Sequence, residues 1–265
     1  MYYFDAHCDY LWKKLHGEKS GIEEAEKFKL KKSVLAVFEG NKPNKIDTEA
    51  QIQLFYRNRP VKNAYIAFEG LSLINDVDGA ERLCKLRPLY VAPVWNNSNK
   101  LGGSCHDDMV ITAFGKKILN VFSENKICID AAHSGKKMFY SLLDNFDNVI
   151  FSHGNVKDIC DNKRNLSKNQ INELIKRNSF IGLALYPPFL GGNTVEKLFE
   201  HIEYILDLGG ENILGFGSDI DGCDELLAGK SDASVFDMIT EEFIKRNYSK
   251  ALIEKITHKN LERFI

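Results

Sequence analysis

Short runs rich in β-branched and aromatic residues recur along the chain at intervals of roughly 20 to 40 residues, each followed by a longer stretch whose apolar residues fall three or four apart. The strand-like runs are Tyr2 to Asp9, Ser33 to Glu39, Asn63 to Glu69, Leu89 to Trp95, Ile127 to His133, Asn148 to His153, Phe180 to Tyr186 and Ile213 to Asp219. Between them, 48–56, 78–85, 107–123, 136–143, 167–177 and 195–208 carry helical spacing, and 233–246 and 249–264 are expected to close the structure. The stripe is plainest in the sixth, where Val195, Leu198, Phe199, Ile202, Ile205 and Leu206 share one face.

Strands alternating with helices imply parallel pairing, and eight such units imply closure into a (β/α)8 TIM barrel, an α/β fold in which residues 1–265 form a single hydrolase domain. An open doubly wound sheet fits less well. No glycine-rich phosphate loop follows the first run, and polar residues end nearly every strand instead of clustering at one switch point.

Those strand ends hold the informative residues, because the C-terminal mouth of such a barrel is where its chemistry is built. The first run ends His7-Cys8-Asp9, the third ends at Glu69, the fifth at His133, the sixth at His153 and the eighth at Asp219. Taken singly, each has an ordinary structural reading: a surface pair for His7 and Asp9, a helix-start carboxylate for Glu69, satisfied core histidines for His133 and His153, a loop-capping role for Asp219. Taken together, those readings would need unrelated coincidences at the same end of five strands. In His7-x-Asp9, a spacing of two on a strand puts both side chains on one face and sends Cys8 the other way, into the core. Three histidines and three carboxylates suit Zn²⁺ or another divalent cation, and they exceed what one tetrahedral site needs, so a pair of metals sharing a carboxylate is expected. Asp221 reads as a loop cap, and His16, His106, His201 and His258 receive no role.

Composition narrows the partners. A net charge of -2 leaves no cationic surplus for a nucleic-acid backbone. The N-terminal Met-Tyr-Tyr-Phe-Asp lacks signal-peptide character, and no run of apolar residues is long enough to span a bilayer, so a soluble, cytoplasmic protein without membrane attachment is expected. Six cysteines with no C-x-x-C pair suggest buried thiols, not a disulfide frame or structural zinc.

The motifs FDAHCD, AFEG, WNNSN, ITAFGKK, CIDAAHSG, VIFSHGN, CDNKRNLS and GFGSDIDG, which span essentially the whole chain, resemble the membrane dipeptidase (renal dipeptidase) family, peptidase family M19, among the amidohydrolase-like barrels. The resemblance implies a binuclear zinc dipeptidase in which a metal-bridging hydroxide attacks the peptide bond of a small dipeptide. By the same resemblance, His7, Asp9 and Asp219 would hold one zinc, His133 and His153 the other, and Glu69 would bridge them. It also implies that Asp219 carries the proton from water to the leaving amine, that Arg164 contacts the substrate's carboxylate or carbonyl, and that Tyr186 lines the pocket. The resemblance further implies tolerance of a D residue at the C-terminal position, which the chain's own residues do not show, and it admits a homodimer. Many family members place a substrate-binding histidine after the fourth strand; here Trp95 takes that position, which reopens substrate preference. The rival readings are a related amidohydrolase acting on a cyclic amide, lactone or phosphoester, and a barrel that binds without catalysis. The H-x-D on the first strand argues against the former and the complete ligand set against the latter.

Overall fold

Among the residues that the computed structural model describes, 1–58, 60–107 and 109–265, the eight predicted runs all pair as strands. They are β1 (Tyr3–Cys8), β2 (Leu30–Phe38), β3 (Asn63–Glu69), β4 (Tyr90–Ala92), β5 (Cys128–Asp130), β6 (Val149–Gly154), β7 (Ile181–Leu183) and β8 (Leu214–Phe216). Every pairing is parallel, and β8 returns to β1 through Asp5 and Phe216, closing the (β/α)8 barrel. The helices are α1 (Tyr10–Leu15), α2 (Lys45–Arg57), α3 (Val77–Cys84), α4 (Ala113–Glu124), α5 (Lys136–Asn145), α6 (Lys168–Lys176), α7 (Pro187–Leu190), α8 (Val195–Asp207), α9 (Val235–Lys245), α10 (Lys250–Glu254) and α11 (Asn260–Glu262).

Local chemistry explains where the helices begin. Asn44, Asp76, Thr112, Thr194 and Ser249 each accept a backbone N–H from the first turn, and Ser167 with Gln170 forms a capping box at α6. The cap at Thr112 starts α4 at Ala113, six residues later than the apolar spacing suggested. The last predicted helix is interrupted, with a π-turn at Lys255–Lys259 between α10 and α11. Two short helices lie outside the periodic signal: α1, on the heels of Asp9, and α7, set by Pro187 at its first position and ended by Gly191 in the left-handed region. Among the described residues, no helix is long and apolar enough to cross a membrane.

The helices pack their apolar stripes on the outer face of the sheet, while a separate cluster joins Phe4, Val34, Ala67, Tyr90, Cys128 and Ile150. Those residues come from β1 through β6, so they fill the barrel's interior, with Leu261 joining from α11. Higher in the barrel, a Cβ on either Gly182 or Gly217 would fall on the Ser152 carbonyl, so glycine there lets β6, β7 and β8 approach.

The strands are shorter than the sequence suggested. β4, β5, β7 and β8 stop three residues before Trp95, His133, Tyr186 and Asp219 respectively, so these four residues sit on the loops above the barrel. His133 and Asp219 adopt left-handed backbone angles, φ 66° and 64°, which turn the chain out of the sheet and over the mouth. Asp9 also lies past its strand, at the start of α1.

Candidate metal centre

All of the sequence-derived ligand candidates meet at the C-terminal mouth. The Nε2 atom of His7 lies 3.4 Å from Asp9 Oδ2, 3.5 Å from Glu69 Oε1 and 3.9 Å from Asp219 Oδ1. Glu69 Oε1 in turn lies 2.9 Å from His133 Nε2 and 3.6 Å from His153 Nε2. Two triplets with ligand atoms mutually within 4.8 Å result, His7/Asp9/Glu69 and Glu69/His133/His153, joined through Glu69. The resemblance grouped Asp219 with His7 and Asp9; in the structure it falls in a third triplet with His7 and His153, drawing on both sets. Its side chain is 13% exposed while the other carboxylates and the imidazoles are nearly or wholly enclosed, so Asp219 is the acid of the cluster most open to solvent.

The hydrogen bonds around the imidazoles show what this cluster lacks. His7 Nδ1 is 2.7 Å from the Tyr90 hydroxyl, which donates to the Ala6 carbonyl at 2.9 Å, so the hydroxyl accepts from Nδ1–H. His133 Nδ1 is 3.0 Å from Asn96 Oδ1, an acceptor only, and His153 Nδ1 is 2.8 Å from Ser152 Oγ. In the neutral rings of His7 and His133 this leaves the Nε2 lone pair facing carboxylate oxygens. His7 Nε2 and Asp9 Oδ1 are buried with no hydrogen-bond partner at all. Acceptors turned towards acceptors are what a divalent cation would satisfy, and the N/O donor set fits Zn²⁺ or a related ion.

Electrostatics agree. Burial disfavours an imidazolium at His7, but Glu69, Asp9 and Asp219 outweigh it and raise its pKa to about 10, so without a cation a proton is favoured on the Nε2 that faces these carboxylates. Burial, with Arg164 and His7 nearby, pushes His133 and His153 well below the usual histidine range. Burial also raises Glu69 well above a normal carboxyl and Asp219 to about 6, with the neighbouring Asp9 adding to both shifts. The carboxylates thus draw positive charge to the Nε2 face of His7, a place that a bound cation would fill instead of a proton.

Over the cluster opens a cavity of about 300 Å³. Its lining includes each predicted substrate contact: Arg164, Trp95 and Tyr186. Arg164 comes from the loop between β6 and α6; its Nη2 lies 2.8 Å from His153 Nε2, and its Nε is buried without a partner. Its guanidinium lies 5.3 Å from the Phe189 ring centre, and Phe189 packs edge-on against Tyr186 at 5.0 Å. On the cavity's other side, Trp95 meets Phe38 edge-on at 4.7 Å, and Phe38 meets Trp12 at 5.0 Å, giving an aromatic wall that ends near His133.

Several members of the site were not singled out from sequence: Tyr90, Asn96, Ser152, Asp130, Asp5, Phe38, Trp12 and Phe189. Asp5 and Asp130 did leave a signal, each a carboxylate inside an otherwise apolar strand. Asp221 does cap a loop, accepting from Gly21 N–H at 2.8 Å and from Ser20 Oγ. Cys8 is buried in the core as expected. His201 is a structural histidine, buried between Val156 N–H and the Leu190 carbonyl.

The profile of the family described as Membrane dipeptidase (Peptidase family M19) matches residues 42–265. Dipeptidase 3 of Mus musculus is 27% identical over 161 residues, covering 58% of this chain and 32% of its own length. The match therefore spans about a third of that mammalian relative. The fold superimposes with a TM-score of 0.90 on a metallopeptidase called dipeptidase AC, 18% identical, covering 100% of this chain and 97% of that one. A metallopeptidase from Rhodobacter sphaeroides, solved with a phosphinate mimic of the dipeptide L-Ala-D-Ala, gives 0.89 at 19% identity, with 100% and 99% coverage.

Proposed function

This chain belongs to the membrane dipeptidase family, peptidase family M19, and on that premise we propose that it is a binuclear zinc dipeptidase acting on small dipeptides. The observation that carries the reading is the set of acceptors around Glu69 Oε1, with His7, His133 and His153 presenting Nε2 to it at 3.5, 2.9 and 3.6 Å. His7, Asp9 and Glu69 would hold one ion, and Glu69, His133 and His153 the second. A pair of cations so held would acidify a water and polarise the peptide carbonyl.

The chain's own groups do the rest. Asp219, raised to about 6 by burial and exposed to the cavity, can take a proton at Oδ1 near neutral pH and return it to the leaving amine. Arg164 presents a guanidinium fork that suits the free carboxylate of a dipeptide. The cavity of about 300 Å³ favours a substrate of two residues. Acceptance of a D residue at the C-terminal position is supported by the ligand of the Rhodobacter sphaeroides neighbour.

The test is hydrolysis of dipeptides with L or D C-terminal residues, alongside a lactone and a phosphotriester, by protein stripped of metal and reloaded with zinc. Zinc-dependent cleavage of dipeptides that disappears in Asp219→Asn is expected. Fully metallated protein that cleaves the lactone or phosphotriester but no dipeptide would reassign the substrate class.

A further inference from the structure

Asp130 ends β5 without solvent contact, and Ser152 on the neighbouring β6 meets it twice. The Ser152 backbone N–H donates to Oδ1 at 2.9 Å and its hydroxyl lies 2.5 Å from Oδ2, while Ala132 N–H also donates to Oδ1 at 3.0 Å. The same arrangement recurs across the β8–β1 seam. There Ser218 N–H donates to Asp5 Oδ1 at 2.7 Å and Ser218 Oγ–H to Oδ2 at 2.6 Å. In both places the serine immediately precedes a residue of the metal cluster, His153 or Asp219.

Beyond His153, the direction of the hydrogen bonds can be read from a group that only donates. The Arg164 guanidinium, with Nη2 2.8 Å from His153 Nε2, has no acceptor atom, so Nε2 must carry the lone pair and Nδ1 the proton. Nδ1–H then donates to Ser152 Oγ at 2.8 Å, which obliges the hydroxyl proton to point at Asp130 Oδ2. Asp130 is the end of this chain because its other oxygen is already committed to two backbone N–H groups.

We propose that Asp130 and Ser152 are positioning residues that hold His153 as its Nδ1–H tautomer, acting through a hydroxyl relay, so that Nε2 faces the metal cluster as a ligand. The Asp5–Ser218 clasp is the matching device beneath Asp219. The inference deepens the metal-site part of the proposed function, and none of its readouts is hydrolysis, so loss of the dipeptidase reading would leave it standing.

Asp130→Asn makes a directional test. Oδ1 of the new amide must still accept from Ser152 and Ala132 N–H, which puts the NH₂ group opposite Ser152 Oγ. The hydroxyl would then accept from the amide and donate to His153 Nδ1, forcing the ring proton onto Nε2. In metal-free, ¹⁵N-histidine-labelled protein at pH 8, long-range proton–nitrogen correlation spectra should show Nδ1–H at His153 in the wild type and Nε2–H in Asp130→Asn, with His153→Asn giving the assignment. Zinc dissociation constants from chelator competition should rise about 10- to 100-fold in Asp130→Asn and Ser152→Ala. Ser152→Thr should keep both the tautomer and the affinity, and Asp5→Asn should keep the His153 tautomer. A wild-type spectrum with Nε2–H overturns the proposal, and so does an Asp130→Asn protein that retains Nδ1–H and wild-type affinity. If Asp130→Asn fails to fold, the wild-type spectrum and the Ser152→Ala and Ser152→Thr pair decide the matter.

Discussion

The Nε2 atoms of His133 and His153 lie 3.1 Å apart, while the outer nitrogens of the two rings are committed to Asn96 and Ser152. Two lone pairs are therefore brought together in a buried place, against a carboxylate they share. In free solution the rings would rotate apart. Here the barrel holds them, with the Arg164 guanidinium donating to the His153 Nε2, and a bound cation would relieve the repulsion that remains.

Metal removal should thus lower stability as well as activity. At a free zinc concentration about 100 times the dissociation constant, each occupied site adds about 2.7 kcal/mol, which corresponds to a Tm increase of roughly 5 to 10 °C per site. Calorimetry of stripped and reloaded protein measures it. Glu69→Gln, which weakens both triplets at once, should lose most of the increase, and a wild-type Tm indifferent to zinc would count against the metal centre.

Arg164→Ala should reduce kcat/KM on dipeptides by about 30- to 1000-fold, the equivalent of roughly 2 to 4 kcal/mol, chiefly through KM. Lysine should not restore it, since a point charge cannot grip a carboxylate with two parallel bonds. The penalty should shrink for a dipeptide amide, which lacks that carboxylate. Because Arg164 Nε is buried and unpaired, the alanine variant should unfold no earlier than the wild type.

Trp95 stands between Phe38 and His133, so it forms cavity wall next to the metal cluster. Trp95→Ala should raise KM for dipeptides with large apolar side chains by about tenfold, reflecting roughly 1.5 kcal/mol of lost aromatic contact, and should spare Ala-Ala. Steady-state kinetics on the two substrate types checks this; an equal loss on both would assign Trp95 to structure alone.

His201 supplies a pH dependence away from the metal site. Burial holds its pKa below the usual value of 6.5, and its two bonds need a neutral ring with the proton on Nε2. Below pH 6.5 the unfolded chain takes up a proton at this histidine that the folded chain refuses. Its contribution is therefore present above pH 6.5 and declines as pH falls, by up to about 1.4 kcal/mol per pH unit. In His201→Gln the decline should be shallower, and Tm profiles from pH 7.5 to 5 that run parallel for the two proteins would refute the assignment.

Gly217→Ala should destabilise by about 3 kcal/mol or more, because the added Cβ would meet the Ser152 carbonyl, which belongs to the backbone and cannot rotate away. The lost stability can be read from urea unfolding. The same crowding would disturb Ser152, so weakened zinc binding is expected along with it.

Periodicity alone marked all eight strands and the main helices, because alternation and helical spacing are imposed locally by which face must be buried. It also marked His7, Asp9, Glu69, His133, His153 and Asp219, since polar residues that end apolar runs stand out one strand at a time. Their grouping was a different matter. Whether Asp219 belongs with Asp9 or spans both triplets depends on left-handed turns at His133 and Asp219 that no periodicity encodes. The residues behind the ligands were also decided by closure of the barrel. Tyr90 reaches His7 across 83 positions and Asn96 reaches His133 across 37, and their direction of donation depends on partners brought there by other strands. A strand's hydrophobic pattern reports which side faces the core, but hydrogen-bond direction, ring tautomer and the sharing of Glu69 are properties of contacts between distant segments, and only the tertiary structure contains those.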